Sequence, residues 1–113
     1  MIEKYIINEE SIVKDAIFII QSNKSRSCIV VNNQNKVLDV ITEGDVLRLI
    51  LNDISIYSKL SEIIDHKFIF LKEKNIEQAI KYFKNKNLSI LPVIDSNYHL
   101  DDVITINEIL ELI

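Results

Sequence analysis

The tightest constraint on this chain is that it contains one unit twice. Sliding the sequence on itself by 63 positions lays residues 13–50 on residues 76–113 without a gap. Ala16-Ile17 falls on Ala79-Ile80, Val30 on Val93 and Leu49-Ile50 on Leu112-Ile113. The run Asp39-Val40-Ile41-Thr42 falls on an identical Asp102-Val103-Ile104-Thr105, and three residues past each Thr stands an acid, Asp45 or Glu108. A unit this short cannot cover both faces of its own sheet, so copies stack to share a core. The whole chain has 113 residues, and a fold of that size buries about two thirds of its unfolded surface. One core fits that size and two independent ones do not. The expectation is an α+β molecule whose two copies pack sheet to sheet about a pseudo-twofold axis.

Hydrophobic periodicity gives each copy the same order of elements. Val13, Ala16, Ile17 and Ile20 make one helical stripe over 13–23, and Ile76, Ala79, Ile80 and Phe83 repeat it over 76–86. Short β-rich runs follow, Cys28–Val31 and Ile90–Ile94, and return as VLDVI and LDDVI after the polar turns NNQNK and DSNYH. Those turns hold no glycine, so Asn33, Asn35, Asn97 or a neighbouring Asp is expected to supply any left-handed residue. Each copy closes with a helix, Glu43–Leu51 and Ile106–Ile113. A further strand is expected ahead of each first helix, at Tyr5-Ile6-Ile7 and Phe68-Ile69-Phe70-Leu71. The connector from Asn52 to Lys67 keeps Ile54, Ile56, Leu60, Ile63 and Ile64, too apolar for a free linker. The division is into repeats 1–55 and 56–113.

Composition removes several function classes. Thirteen Lys and Arg against seventeen Asp and Glu give a net charge of −4, the wrong sign for tracking a nucleic-acid backbone. No apolar run nears the roughly 20 residues that cross a bilayer, and MIEKYIINEE lacks the basic start of a signal peptide. A cytoplasmic protein with no nucleic-acid or membrane partner is expected. The one cysteine, Cys28, sits in the apolar run CIVV and reads as a buried hydrophobe. His66 and His99 have no Cys, Asp or second His at ligand spacing, and there is no glycine-rich phosphate loop. Asp101 and Asp102 are adjacent in a strand and point to opposite faces, so they share no proton. No catalytic residue, metal ligand or enzyme activity is expected of this chain.

What remains is the strand–Thr–x–x–acid–helix junction, which admits two readings. Thr at the N-cap with an acid at the third helical position outlines a capping box, satisfying the helix's first free N–H groups. Glu108 fits that box more naturally than Asp45, so capping is favoured for Thr105/Glu108. The same geometry also suits a nucleotide. A helix N-terminus attracts a phosphate, and a carboxylate one turn in accepts hydrogen bonds from two ribose hydroxyls. Gly44, beside Asp45, lets a ligand approach the backbone closely. The first copy is thus the better candidate for a working site.

In order and spacing the repeated pattern resembles the cystathionine-β-synthase (CBS) domain, and the pair resembles a Bateman module. The matching pieces are SIVKDAIFII and NIEQAIKYF for the first helix, LPVID for the central strand, and DVITEGDVLRLI and DVITINEILELI for the terminal strand and helix. The resemblance covers nearly the whole chain and implies two β-α-β-β-α repeats with two clefts between them. Such clefts take adenosine ligands: AMP, ADP, ATP or S-adenosylmethionine. It places Thr42 and Asp45 on the phosphate and ribose of the first cleft, Thr105 and Glu108 on those of the second. The adenine slot falls at Ile90 in the second copy and at Ser27 in the first. The family's usual glycine at the head of the signature is Asp39 and Asp102 here, which adds negative charge, and Arg48 is the one basic residue within either signature. The TEGDVLRLILND stretch also resembles pairs that precede bacterial sugar-phosphate nucleotidyltransferases. A regulatory, nucleotide-binding N-terminal part of a longer enzyme is therefore expected, against the alternative of a purely structural homodimerisation module. Homodimerisation is expected in either case, through Val46-Leu47-Leu49-Ile50 and Ile109-Leu110-Leu112-Ile113.

Overall fold

The computed structural model describes residues 2–86 and 88–112. After a short 3₁₀ turn at Ile2–Tyr5, the first copy runs β1 (Ile6–Asn8), α1 (Val13–Ser22), β2 (Ser27–Val31), β3 (Val37–Thr42) and α2 (Glu43–Leu51). A short helix α3 (Leu60–Ile63) lies in the connector. The second copy runs α4 (Ile76–Asn85), β4 (Ile90–Ile94), β5 (Leu100–Thr105) and α5 (Ile106–Leu112). Ile113, expected to end the last helix and to join the dimer face, lies outside the described residues.

The duplication is exact in its ladders. Antiparallel β2–β3 pairs Ser27 with Thr42, and β4–β5 pairs Ile90 with Thr105, their equivalents after the 63-residue shift. Each ladder carries a bulge at the same place, Val30/Val31 and Val93/Ile94. The hairpin turns then grip each other across the pseudo-axis: Val37 N–H donates to Tyr98 O at 2.8 Å, and Leu100 N–H to Asn35 O at 3.3 Å. These two bonds are copies of one another. Asn35 takes the expected left-handed conformation (φ 61°), but in the second turn it is Tyr98 (φ 66°), not Asn97. Tyr98 is the residue equivalent to Asn35, so the shared backbone geometry overrode side-chain preference. Its ring packs 5.7 Å from that of Phe70.

Three apolar clusters fill the interior. Ile7, Val13, Ala16, Ile20, Cys28, Val30 and Ile41 lie between α1, α2 and the first sheet, and Leu71, Ala79, Leu91, Val93, Ile104 and Ile109 form the counterpart in the second copy. Between them, Tyr5, Ile29, Val31 and Val37 meet Ile90, Ile94, Leu100 and Val103 from the opposite sheet. β2 and β4 are therefore buried on both faces, which suits their unbroken branched apolar sequence.

The connector, expected to pack across the whole module, packs on the first copy. Leu60 is 0% exposed among α1 and β2 residues, with Ile56, Ile63 and Ile64 beside it. Its backbone also satisfies the start of α1, where Val13 N–H donates to Ser58 O and Lys14 N–H to Ile56 O. The extra strand behaves differently in the two copies. β1 pairs with β2 in parallel through three residues, whereas in Phe68–Leu71 only Leu71 pairs, with Val93. The residue equivalent to Ile29 is Pro92, which has no N–H to offer that edge. Pro92 still accepts from Leu71 N–H at 2.9 Å, but the ladder stops at one bridge.

Candidate functional site

The N-terminus of α2 is built by its own sequence. Thr42 is the N-cap, its hydroxyl accepting from Asp45 N–H at 3.1 Å, while the Asp45 carboxylate accepts from Thr42 N–H at 2.9 Å. The capping box is closed. At α5 the Thr105 hydroxyl accepts from Glu108 N–H at 3.1 Å, but the Glu108 carboxylate meets only that hydroxyl, at 3.5 Å. The expectation that Glu108 would make the better box is thus reversed. The short Asp side chain reaches back to the cap N–H, while the extra methylene of Glu lets the carboxylate lie outward and exposed.

Four of the expected residues, Ser27, Thr42, Asp45 and Ile90, line one cleft of about 620 Å³ between the copies. Ile90, at the start of β4 in the second copy, faces the same cleft as Thr42 and Asp45 of the first copy. The second cleft, about 820 Å³, takes Thr105 and Glu108 together with the 3₁₀ turn and the end of α1. Ser27 is fully buried and committed to a local network. Its hydroxyl donates to Ser25 O and touches the Ser89 hydroxyl at 3.2 Å, and Ser89 donates to Ser25 O at 2.6 Å. Ser27 therefore shapes the wall through packing.

The sequence reading missed the cations. Lys24 and Arg26 from the α1–β2 turn and Lys67 from the connector join Arg48 around the first cleft, against the carboxylates Glu43 and Asp45. The signal available was the run NKSRS between α1 and β2. Arg26 adopts a left-handed backbone (φ 50°), and its carbonyl accepts Glu43 N–H at 3.0 Å, tying the turn to the start of α2. Arg48 reaches back to Asp45, Nη2 to Oδ1 at 2.5 Å. A Cβ at Gly44 would stand 3.5 Å from Arg48 Nη1, ordinary contact, so the chain's own packing does not demand glycine there. In the wall of the cleft, the Ser25 hydroxyl is buried with no partner.

The two signature aspartates have opposite surroundings. Asp39 is 6% exposed and accepts from Val40 N–H and Asp65 N–H, and burial raises its carboxyl from 3.8 to about 6. Asp102 is half-exposed and pairs with Lys74 at 3.2 Å. Cys28 is fully buried, and burial pushes its thiol up to about 12, so it carries no thiolate near neutrality. His99 lies by Asp95 in its turn, and His66 stands in the connector. Among the described residues no His/Cys/Asp/Glu group is arranged to hold a metal, and no helix is long and apolar enough to cross a membrane.

A family model for the CBS domain matches residues 1–52 and 60–113. The fold is similar to that of the CBS domains of a transcriptional regulator from Streptococcus pneumoniae. That match has a TM-score of 0.77 and 23% identity, over 96% of this chain and 88% of that one. It is also similar to a CBS domain protein from Pyrobaculum aerophilum complexed with AMP, with a TM-score of 0.74 and 16% identity over 95% and 88%. A homoserine O-acetyltransferase from Methanococcus vannielii is 35% identical over 94 residues, 80% of this chain and 19% of that protein. The chain spans less than a third of the length of the curated relatives it matches.

Proposed function

The chain belongs to the CBS domain family as a tandem pair, and from that premise we propose that it is a regulatory module binding an adenosine nucleotide in its first cleft. The observation carrying this reading is the gathering of Thr42, Asp45, Ser27 and Ile90 around one cleft at the N-terminus of a nine-residue helix. Thr42 and the N-terminus of α2 take a phosphate. Asp45 takes the ribose hydroxyls, and the wall at Ser27 and Ile90 takes the base. Thr105 and Glu108 are the corresponding positions of the second cleft. AMP, ADP, ATP and S-adenosylmethionine are the ligand classes to try, since an AMP complex is known for the Pyrobaculum protein. We place the repeats at 1–55 and 56–113, in a cytoplasmic protein. The module is read as the regulatory N-terminal part of a longer enzyme of the nucleotidyltransferase type, a reading supported by the TEGDVLRLILND resemblance alone.

The test is thermal melting with that panel. A ligand at about one hundred times its dissociation constant stabilises the fold by about 2.7 kcal/mol, roughly a 10 °C rise for a chain this size. The Thr42→Ala/Asp45→Ala double variant is expected to lose the rise whatever its own melting point. No shift with any member rejects the reading.

A homodimerisation role is also favoured, by apolar surface on the helices. Leu47, Ile50 and Leu51 of α2, Phe18 of α1, and Leu110 and Leu112 of α5 are exposed, with Leu51 at 80%. Val46 and Ile109 leave the expected dimer face, since both are buried in the cores of their own copies, and Leu49 packs on the first core. Sedimentation of a monomer at high concentration rejects this role.

A further inference from the structure

Resting on the nucleotide reading above, we infer that the chain holds one nucleotide, in the first cleft, ranks adenosine ligands by their phosphate charge, and excludes phosphates from the second cleft. The shared Thr–x–x–acid motif does not separate the two clefts. What separates them is the charge that the fold brings to each. Lys24, Arg26, Arg48 and Lys67 line the first, against Glu43 and Asp45. Glu3, Asp102, Glu108 and Glu111 line the second, against Lys4 and Lys24, with Asp102 also paired to Lys74. A phosphate entering the first meets mostly opposite charge and one entering the second mostly like charge.

The unpartnered buried atoms divide the same way. In the first cleft the group without a partner is the Ser25 hydroxyl, which has a proton to donate. In the second it is Asn23 Oδ1, an acceptor, while the Asn23 amide N–H groups already serve Ile19 O and Ser27 O. The first group can donate to a phosphate oxygen and the second cannot.

Arg48 links ribose recognition to phosphate recognition. Both oxygens of Asp45 are engaged in the ligand-free chain, Oδ2 by Thr42 N–H and Oδ1 by the Arg48 guanidinium. A ribose hydroxyl reaching Oδ1 displaces that guanidinium. Arg48 is 67% exposed and lies over Gly44 at the start of α2, so the released group moves to the phosphate. The ion pair lost at Asp45 is replaced by one at the ligand, and each added phosphate charge strengthens the replacement.

The test is titration calorimetry of the full chain with adenosine, AMP, ADP and ATP, divalent ions chelated, at low and high salt. The expected result is one site per chain and about fivefold tighter binding per added phosphate at low salt, with the ranking compressed at high salt. Arg48→Gln and Lys67→Gln are expected to flatten the ranking, with adenosine itself bound more tightly by Arg48→Gln because no guanidinium has to leave Asp45, and Glu111→Gln, in the second cleft, to leave the ranking unchanged. Binding without a ranking, two equivalent sites, or a ranking untouched by both cation variants overturns this inference and leaves the nucleotide reading standing. No heat with any of the four ligands overturns both.

Discussion

The two copies share a ladder register, a bulge and a hairpin geometry, yet differ wherever a side chain meets solvent or the other copy. The first has a three-residue parallel strand, a closed capping box, a buried aspartate without a cation and a cationic cleft. The second has a single bridge in place of that strand, an open box, an aspartate paired with Lys74 and an acidic cleft. The difference teaches that the repeated apolar pattern maintains the backbone, and that the polar positions are then free to diverge.

The largest test of this asymmetry concerns the connector, which packs on the first copy. Leu60→Ala removes a side chain with no solvent exposure from that core, and the expected cost is about 3 kcal/mol in urea unfolding. A cost under about 1 kcal/mol would mean that the connector is only draped over the first copy.

Next comes the pair of aspartates. Asp39 is raised from 3.8 to about 6 in the folded chain, so the folded state holds a proton that the unfolded state releases between those values. The stability this group contributes is complete below about pH 4 and falls as pH rises through 6. Asp39→Asn removes the buried charge and gives up the 3.3 Å bond from Asp65 N–H. Its advantage over the parent chain is expected to grow from near zero at pH 4 to about 1–2 kcal/mol at pH 7. Asp102→Asn, which breaks an exposed ion pair, is expected to stay within about 0.5 kcal/mol throughout. Equal pH profiles for the two variants would erase the distinction.

The smallest effect is at the helix caps. Asp45→Ala loses the bond to the Thr42 N–H, for an expected loss of about 1 kcal/mol, while Glu108→Ala is expected to change stability by only a few tenths. Thermal unfolding of the two variants side by side measures the difference.

Much of this was legible before any coordinates. The helical stripes at Val13/Ala16/Ile20, the apolar runs of β2 and β4, and the four-residue identity ending in Thr42 and Thr105 report local periodicity and chain register. Both are properties of neighbouring residues. Legibility failed where the outcome depended on partners far along the chain. Pro92 cut short the strand that Phe68–Leu71 was expected to form.

The sequence by itself determined the α+β pairing and the two Thr–x–x–acid helix starts, because a duplicated apolar pattern leaves each half with a face that only the other half covers. The tertiary structure alone decided the character of the clefts. Lys24, Arg26 and Lys67 lie 16 to 25 positions from Thr42 in the chain, and no local pattern records that they meet there. Charge acts through space, so the sign of a cleft is set only once the fold has fixed which side chains share it.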